Sequence, residues 1–306
     1  MVTAPTLPHP QHGQVVAATI VTADLDGQTE LYQRFFDYRV AHRGPVTADL
    51  AAHWGAPALA GARHVVLRTA SGAESWLRLV EDADAAPQPP MRTLGWAAIE
   101  VAVRDVDGLA EPFAVAPWRI LGAPADLSFT DAIRAMQVAG PMGEVFYLTL
   151  IKRQLPGFDL PDAGADVDRL FVLILGCRDV AAAARFYEGL FGLPAAPAFA
   201  AEIRVVNAAY GLPAGSKVPL GTLTLGGQSL LELDGFPDAA ADRAAEPGRL
   251  PPATAIGSFL VADLDAVAAD WVAPPRRLAM APYSGRRAGL VRGPAGELTE
   301  LIAIAP

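Results

Sequence analysis

Apolar and polar residues alternate along residues 170–192 in a way that separates a strand from a helix. Residues 170–175 form an apolar run of the length of a buried strand, too short to span a membrane. Arg178 and Asp179 interrupt the run, and apolar residues then recur at three-to-four spacing until Gly192. The pattern predicts a strand, a polar turn and a short amphipathic helix.

The same opening occurs four times along the chain. Each copy has an apolar run followed by an aspartate and a helical pattern, and the aspartates are Asp24, Asp105, Asp179 and Asp263. A carboxylate at this position accepts hydrogen bonds from the free amides of a helix's first turn, so we expect each aspartate to cap a helix. The repetition predicts four modules, each with a strand, a helix and three further strands.

Each module is expected to close with a strand that carries a polar side chain inside an apolar run. We place these last strands at 75–81, 144–151, 229–235 and 297–304. Their central polar residues are Arg78, Tyr147, Glu232 and Glu300. A Gly-Pro-x-Gly turn precedes the last strands of modules two and four and predicts a hairpin there.

The modules group into two similar halves. The first half, residues 15–154, contains modules at about 15–82 and 93–154, and the second, residues 168–304, contains modules at about 168–236 and 253–304. Proline- and alanine-rich connections separate the modules. The expected fold class is α+β, with two cup-shaped mixed β-sheets and helices outside. The sequence leaves open whether module one pairs with two and three with four, or one with four and two with three, which would bring Arg78 near Glu300.

The charge, the cysteine content and the N-terminal segment of the sequence argue against several classes of protein. The formal net charge of −9 argues against nucleic acid or an anionic membrane as a partner. The single cysteine, Cys177, excludes an internal disulfide and is expected in the core. The N-terminal segment has neither the basic start nor the apolar core of a signal peptide, so we expect a cytoplasmic protein. A homodimer is left open.

The four modules resemble the vicinal oxygen chelate superfamily. The shared features are the Asp-Leu-Asp after the first strand, the Phe-Tyr in the helix and the Gly-Pro-x-Gly-Glu before a last strand with an inward Glu. The superfamily includes glyoxalase I, extradiol dioxygenases and bleomycin-resistance proteins. The resemblance implies cups of strands that hold a small oxygenated substrate, often on a metal bound by His or Gln on first strands and Glu on last strands.

This sequence has suitable residues at only some of the positions that hold metal ligands in that family. The first-strand ligand positions hold Ala17, Ala98, Val172 and Ile256, which cannot bind a metal through their side chains. The five histidines all lie in the first half, away from these positions. A two-His, one-Glu site is therefore not expected, and the cofactor is one divalent metal ion or none.

Glu232 and Glu300 are the main candidates for chemistry. Both are expected to point into the cup of the second half, within about 5 Å of each other or of a common bound atom, because a buried carboxylate needs a partner or a metal. They are predicted as catalytic residues, with metal binding as one role. The alternative is a pair of inherited carboxylates that are hydrogen bonded within the cup. His64 is a further candidate acid or base, although a lone histidine is more often structural.

A second group of residues is predicted to bind substrate. Glu100 and Tyr147 are expected to form a polar cluster with Arg78 in the first half, and the alternative is a simple Arg78–Glu100 ion pair. Arg134 and Arg287 occupy matching positions and are predicted to attract an anionic substrate; the alternative is a solvated strand edge. The tyrosines of the two long helices, Tyr32 and Tyr187, are expected in the core.

Three functions remain from the sequence. The favoured prediction is a lyase, isomerase or ring-cleaving enzyme that acts on a small oxygenated substrate, including aromatic or anionic ones. The alternative is a metal-free protein that binds or sequesters a small molecule without catalysis. The third is a scaffold whose repeated cups have lost their sites.

Overall fold

The structure is a computed structural model that describes residues 9–305. The expectation about a signal peptide falls partly on residues 1–8, which lie outside the described residues. None of the described helices has the length and apolarity needed to cross a membrane. The cytoplasmic location and the homodimer stay predictions.

The secondary structure follows the four-module repeat. Module one contains β1 (Val15–Thr22), α1 (Leu25–Phe36), β2 (Arg39–Pro45), α2 (Ala48–His53), a 3₁₀ turn (Pro57–Leu59), β3 (Arg63–Arg68) and β4 (Trp76–Glu81). Module two contains β5 (Gly95–Val103), α3 (Ala110–Phe113), β6 (Arg119–Leu127), β7 (Thr130–Ala139) and β8 (Val145–Ile151). Module three contains β9 (Val167–Cys177), α4 (Val180–Phe191), β10 (Ala198–Ala201), α5 (Arg204–Tyr210), β11 (Val218–Leu225) and β12 (Ser229–Gly235). Module four contains β13 (Ala253–Val261), β14 (Trp271–Arg277), β15 (Arg287–Arg292) and β16 (Leu298–Ala303).

Two eight-stranded mixed sheets are built from these strands, and each sheet combines modules from both halves of the chain. One has the order β14-β15-β16-β13-β1-β4-β3-β2, and the other β10-β11-β12-β9-β5-β8-β7-β6. Module one therefore pairs with module four, and module two with module three. At the centre of each sheet two first strands pair antiparallel, β1 with β13 and β5 with β9. The two inner faces are called the one–four cup and the two–three cup below, and the predicted fold class is confirmed.

The module aspartates act as the sequence predicts in modules one and three. Asp24 accepts a hydrogen bond from the amide of Gly27, and Asp179 accepts one from Ala182, both at 2.9 Å. Asp105 and Asp263 also accept a backbone amide. However, a single helical turn follows Asp105, and no helix follows Asp263 within the described part of module four. In module four the next strand begins at Trp271, which leaves too little chain for a helix of several turns.

The outer faces of the sheets pack against each other and against α1 and α4. Gly257 lies at this contact, and a Cβ atom there would come within 2.6 Å of Leu173 and 2.8 Å of Trp96. The Trp96 indole donates to the backbone carbonyl of Leu298 in the other sheet at 2.7 Å. Cys177 is buried in the same cluster, as expected. The two sheets thus form one continuous core.

Each long helix is bonded to the following module by one buried tyrosine–glutamate hydrogen bond, and the two bonds are equivalent in the repeat. Tyr32 on α1 donates to Glu144 at 2.8 Å, and Tyr187 on α4 donates to Glu297 at 2.7 Å. All four side chains are buried. Both glutamates are the last residue of the Gly-Pro-x-Gly-Glu pattern, so this part of the repeat serves the fold. The prediction that the two tyrosines lie in the core is confirmed.

The inner face of each cup has its own apolar cluster and its own cover. In the one–four cup, α2, Trp54 and the segment 278–283 pack onto the strands. In the two–three cup, α5 packs against strands from both modules. Each cup is therefore partly filled by a segment of the chain, and the two cups enclose different sets of polar side chains.

Candidate functional site

The one–four cup contains a buried ion pair between last strands. The Arg78 guanidinium on β4 lies 3.9 Å from the Glu300 carboxylate on β16, and both side chains are fully buried. Arg78 also donates to Tyr283 at 2.9 Å and to Thr19 at 3.3 Å. Its guanidinium lies 5.0 Å from the ring centre of Trp54. Aromatic faces and hydroxyl groups therefore replace much of the water that the cation loses on burial.

Three further side chains bond to the Glu300 carboxylate. His53, the last residue of α2, lies 3.0 Å from Oε1, where the Tyr283 hydroxyl also donates at 2.5 Å. Ser258 on β13 donates to Oε2 at 2.7 Å. Burial opposes ionisation, but the Arg78 charge and these bonds outweigh it and lower the pKa of Glu300 to about 2. Glu300 is thus a fully satisfied carboxylate.

These contacts close the one–four cup. The side chains of Arg78, His53, Tyr283 and Glu300 have no exposed surface, and α2 with Trp54 lies over them. A carboxylate with this many partners is held in one orientation and is a poor proton acceptor at neutral pH. The geometry therefore suits a structural network better than a catalytic one.

His64 lies on the inner face of the same cup, on the strand that pairs with the Arg78 strand. It is buried on β3, where it alternates with Val66 of the inner cluster, and its ring centre is 5.3 Å from that of His42. Burial, the Arg78 charge and His42 lower the pKa of His64 to about 4. It is therefore neutral at physiological pH, and its predicted catalytic role stays a prediction.

The two–three cup holds acidic groups without a cation. Glu100 on β5 lies opposite Tyr147 on β8 in the sheet register. Glu232 and Asp234 on β12 lie on the same inner face, two residues apart. Asp234 is fully buried, whereas Glu100 and Glu232 keep part of their surface exposed. None of these carboxylates forms an ion pair within residues 9–305.

Burial and mutual repulsion raise the pKa values of this acidic group. Burial, with the charge of Glu232, raises the pKa of Glu100 to about 8. Burial, with the charge of Asp234, raises the pKa of Glu232 well above its ordinary value, and burial raises that of Asp234 to about 7. At neutral pH some of these carboxyl groups are therefore protonated, and they titrate as an interacting set.

Two hydroxyl groups beside the acids are unpartnered. The Tyr147 hydroxyl and Thr149 Oγ1 are buried and find no hydrogen-bond partner within the described chain. Burial, followed by the charges of Asp234, Glu232 and Glu100, raises the pKa of Tyr147, so its hydroxyl keeps its proton. A buried hydroxyl without a partner is costly, which is typical of a site that a ligand completes.

The structure corrects several expectations from the sequence. Glu232 and Glu300 do not share a cup, because β12 and β16 belong to different sheets. The predicted common metal site of these two residues is therefore wrong. Arg78 and Glu100 also lie in different sheets, so neither the predicted cluster of Arg78 with Glu100 and Tyr147 nor the alternative ion pair forms. The physical reason is the pairing of module one with module four.

Arg134 and Arg287 also lie outside the cups. Arg134 makes two hydrogen bonds to Asp107, at 2.7 and 2.8 Å, and Arg287 makes the same pair to Asp265. Each arginine alternates along its strand with residues that face the cup, so it points to the outer face. This placement argues against the predicted substrate binding and favours the alternative of a solvated strand edge.

The residues present do not fit the metal centre that the fold family implies. Within residues 9–305, no three His, Cys, Asp or Glu side chains come together as a metal site. In the one–four cup the Arg78 cation occupies the surroundings of Glu300 that a metal would need. The first-strand ligand positions remain apolar, as the sequence indicated. No step of the chemistry below therefore depends on a metal.

Sequence reasoning missed three partners of the candidate residues. His53 and Tyr283 reach Glu300 from α2 and from the segment before β15, and neither shows a spacing that links it to the strand. Asp234 carried a usable signal, because it is two residues from Glu232 on one strand and must share its face. The alternation of β12 therefore pointed to a pair of acids.

Comparisons with known proteins show the fold. No protein-family model and no curated protein matches the sequence. Glyoxalase I from Zea mays is similar in structure, with a TM-score of 0.61 and 15% identity, over 95% of this chain and 92% of that chain. A putative dioxygenase from Bacillus subtilis has a TM-score of 0.62 and 11% identity, over 97% of this chain and 87% of that chain. The chain has the fold of the vicinal oxygen chelate superfamily, which confirms the resemblance drawn from its motifs.

Proposed function

We propose that the protein is a metal-independent enzyme of the isomerase or lyase type that moves a proton on a small oxygenated molecule in the two–three cup. One observation carries the proposal: Glu100 and Glu232 share a partly open inner face with unpaired carboxyl groups, and burial raises the pKa of Glu100 to about 8 and that of Glu232 well above its ordinary value. A catalytic acid or base works best when its pKa is close to the working pH. Two coupled carboxyl groups supply both roles.

The proposed roles follow from exposure and protonation. Glu100, whose pKa is about 8, accepts a proton from carbon next to a carbonyl group when it is ionised, and Glu232, whose pKa is raised well above its ordinary value, returns one when it carries a proton. The Tyr147 hydroxyl, which keeps its proton, donates a hydrogen bond to the carbonyl oxygen as negative charge develops there. Asp234 is fully buried and adjusts the protonation of Glu232. Every proton that leaves the substrate thus has an acceptor in the cup.

The surroundings of the cup support a small, partly apolar ligand. A groove of about 390 Å³ runs beside α5 and includes Met91, Leu121 and Val205. The same three residues belong to the apolar cluster of the two–three cup or pack against it. Arg92 and Arg119 also line this groove and suit a ligand with an acidic end. The two arginines support the inclusion of anionic compounds among the proposed small carbonyl substrates, although Glu100, Glu232 and Tyr147 do not line this groove.

Hydrogen–deuterium exchange tests the proposed reaction without knowledge of the product. A panel of 2-oxo acids, hydroxy ketones and β-keto esters is incubated with the protein in D₂O, and loss of the C–H signal is followed by proton NMR. We expect exchange of at least one compound to be accelerated, and to fall by about 10²–10⁴-fold in Glu232→Gln. Glu111→Gln, an exposed carboxylate of α3, is the matched control and should exchange as the wild type does.

Metal-free binding without catalysis is the second candidate. It is favoured by Tyr147 and Thr149, whose free hydroxyl groups suit a ligand that is only held. The same panel separates the two functions. A compound that raises the melting temperature but exchanges no proton supports sequestration, and exchange that persists in Glu232→Gln and Glu100→Gln contradicts the proposed enzyme.

A further inference from the structure

A separate cavity lies between the two sheets, away from the acidic cup. It has a volume of about 240 Å³ and is bounded by the start of β5, the connection before β13 and the turn before β16. Three arginines line it, namely Arg243, Arg249 and Arg292. In a chain with a formal net charge of −9, this concentration of cations in one cavity is unusual.

Arg243 is the most informative of the three. It is held by Thr93 Oγ1, at 2.9 and 3.2 Å, and by the backbone carbonyl of Thr254 at 2.6 Å. It has no acidic partner within residues 9–305. Burial lowers the pKa of Arg243 to about 10, so it stays charged at neutral pH. Three of its five N–H groups are used, which leaves two to donate to a ligand.

The other two arginines differ in their pairing. Arg292 is exposed and makes one hydrogen bond, to the backbone carbonyl of Gly296 at 2.9 Å. It has no ion pair within the described chain. Arg249 is paired with Asp82 and Asp84, so its charge is already balanced. The positive charge of the cavity that is not engaged in an ion pair therefore comes from Arg243 and Arg292, although Arg292 lies near enough to Glu297 for its charge to lower the pKa of that carboxyl group.

The lining also contains apolar side chains. Trp54 and Trp96 border the cavity, together with Val272. The one carboxylate in the lining, Glu297, is engaged by the Tyr187 hydroxyl and the amide of Ala295, at 2.7 and 2.9 Å. The volume is below the roughly 300–1,000 Å³ of sites for drug-sized molecules. The cavity therefore suits a small ligand with an acidic group and a flat body.

We propose that this cavity binds a small organic oxyanion, a carboxylate or a phosphate, through Arg243 and Arg292, with its body against the apolar part of the lining. A partly buried cation without a counter-ion is costly, and an oxyanion would offset that cost through charge-assisted hydrogen bonds. The site is independent of the acidic cup and does not rest on the proposed reaction.

Tryptophan fluorescence and thermal unfolding test the anion site with two probes, benzoate and inorganic phosphate. We expect saturable quenching and a raised melting temperature with at least one of them. Benzoate alone identifies an aromatic carboxylate site, and phosphate alone a phosphate site; each result supports the proposal. Binding should weaken at least tenfold in Arg243→Gln, weaken less in Arg243→Lys, and be unchanged in Arg287→Gln, whose arginine is paired on the outer face.

Arg292→Gln keeps the test decisive if Arg243→Gln does not fold, because Arg292 is exposed and bonds only to one carbonyl group. Its binding should weaken by about threefold to tenfold. Glu111→Gln, which changes an exposed carboxylate of α3, should bind the probes as the wild type does. Absence of saturable binding to the wild type would overturn the proposal. Binding to Arg243→Gln and Arg292→Gln that is as tight as binding to the wild type would also overturn it.

Discussion

His53 Nε2 lies 3.0 Å from Glu300 Oε1, although the two residues are 247 positions apart in the chain. His53 ends a helix of module one, and Glu300 lies on the last strand of module four. With Arg78, Tyr283 and Ser258 they form a buried polar network that joins the two ends of the chain. This network suits a structural role for the one–four cup, and the acidic two–three cup is the proposed functional site.

Loss of the Arg78 cation should destabilise the protein strongly. In Arg78→Met the Glu300 carboxylate stays buried without its counter-charge, and we expect the free energy of unfolding to fall by about 3–5 kcal/mol. Urea unfolding followed by circular dichroism measures it. Arg287→Met removes an exposed ion pair and should cost about 0–1 kcal/mol, so equal losses in the two variants would contradict the structural role.

Acid should weaken the same network. The pKa of Glu300 is lowered from its ordinary 4.5 to about 2, so its contribution is complete above pH 4.5 and is lost as the pH falls towards 2. We expect this contribution to be at most about 3 kcal/mol. The test is urea unfolding at several pH values for the wild type and Glu300→Gln. The wild type should lose more stability than the variant between pH 5 and pH 3, and parallel curves would refute the lowered pKa.

The two helix tyrosines should behave alike, because they occupy the same place in the repeat. Tyr32→Phe removes one donor to Glu144, which keeps those of Gln28 and the Met142 amide. Tyr187→Phe likewise removes one donor to Glu297, which keeps the Ala295 amide. Each change should cost about 1–3 kcal/mol of unfolding free energy. Because these hydrogen bonds lower the pKa of the buried glutamates, each variant should also raise the pKa of its glutamate above about 7. An effect in one variant only would break the equivalence of the modules.

Two glycines provide a paired test of the contact between the sheets. In Gly257→Ala the new methyl group meets Leu173 and Trp96, and we expect a loss of about 1–3 kcal/mol. Gly189→Ala, on the open side of α4, meets no atom within 4 Å. It should stabilise the protein by about 0.5–1 kcal/mol, because alanine favours a helix. Thermal unfolding of both variants measures the difference, and a neutral Gly257→Ala would mean that the sheets pack less closely than described.

The fold was largely predictable from the sequence because its signal is local and repeated. An aspartate after an apolar run and a Gly-Pro-x-Gly turn act within a few residues, and the last strand predicted at 229–235 is found at Ser229–Gly235. One copy of this pattern is weak evidence for the fold, but four copies in one chain are strong evidence. The missing helix after Asp263 shows the limit, since the start of the next strand decides whether a helix has room.

The candidate site was less predictable because it depends on which modules pair. Either pairing satisfies the same local pattern, and the choice separates Glu232 from Glu300 and brings Arg78 to Glu300. His53 and Tyr283 join the network from outside the strands, where no periodicity marks them. The acid pair Glu232 and Asp234 was readable from strand alternation, and its raised pKa values follow from burial, which a sequence does not show.

The protonation of the two–three cup is the central claim, and carboxyl titration tests it most directly. The protein is labelled with ¹³C at the side-chain carboxyl groups and titrated by NMR, with Glu100→Gln, Glu232→Gln and Asp234→Asn to assign the signals. We predict coupled carboxyl signals that titrate near or above pH 7 and vanish or shift in these variants. Titration of all three carboxyl groups below about pH 5, as for solvated acids, would contradict the account.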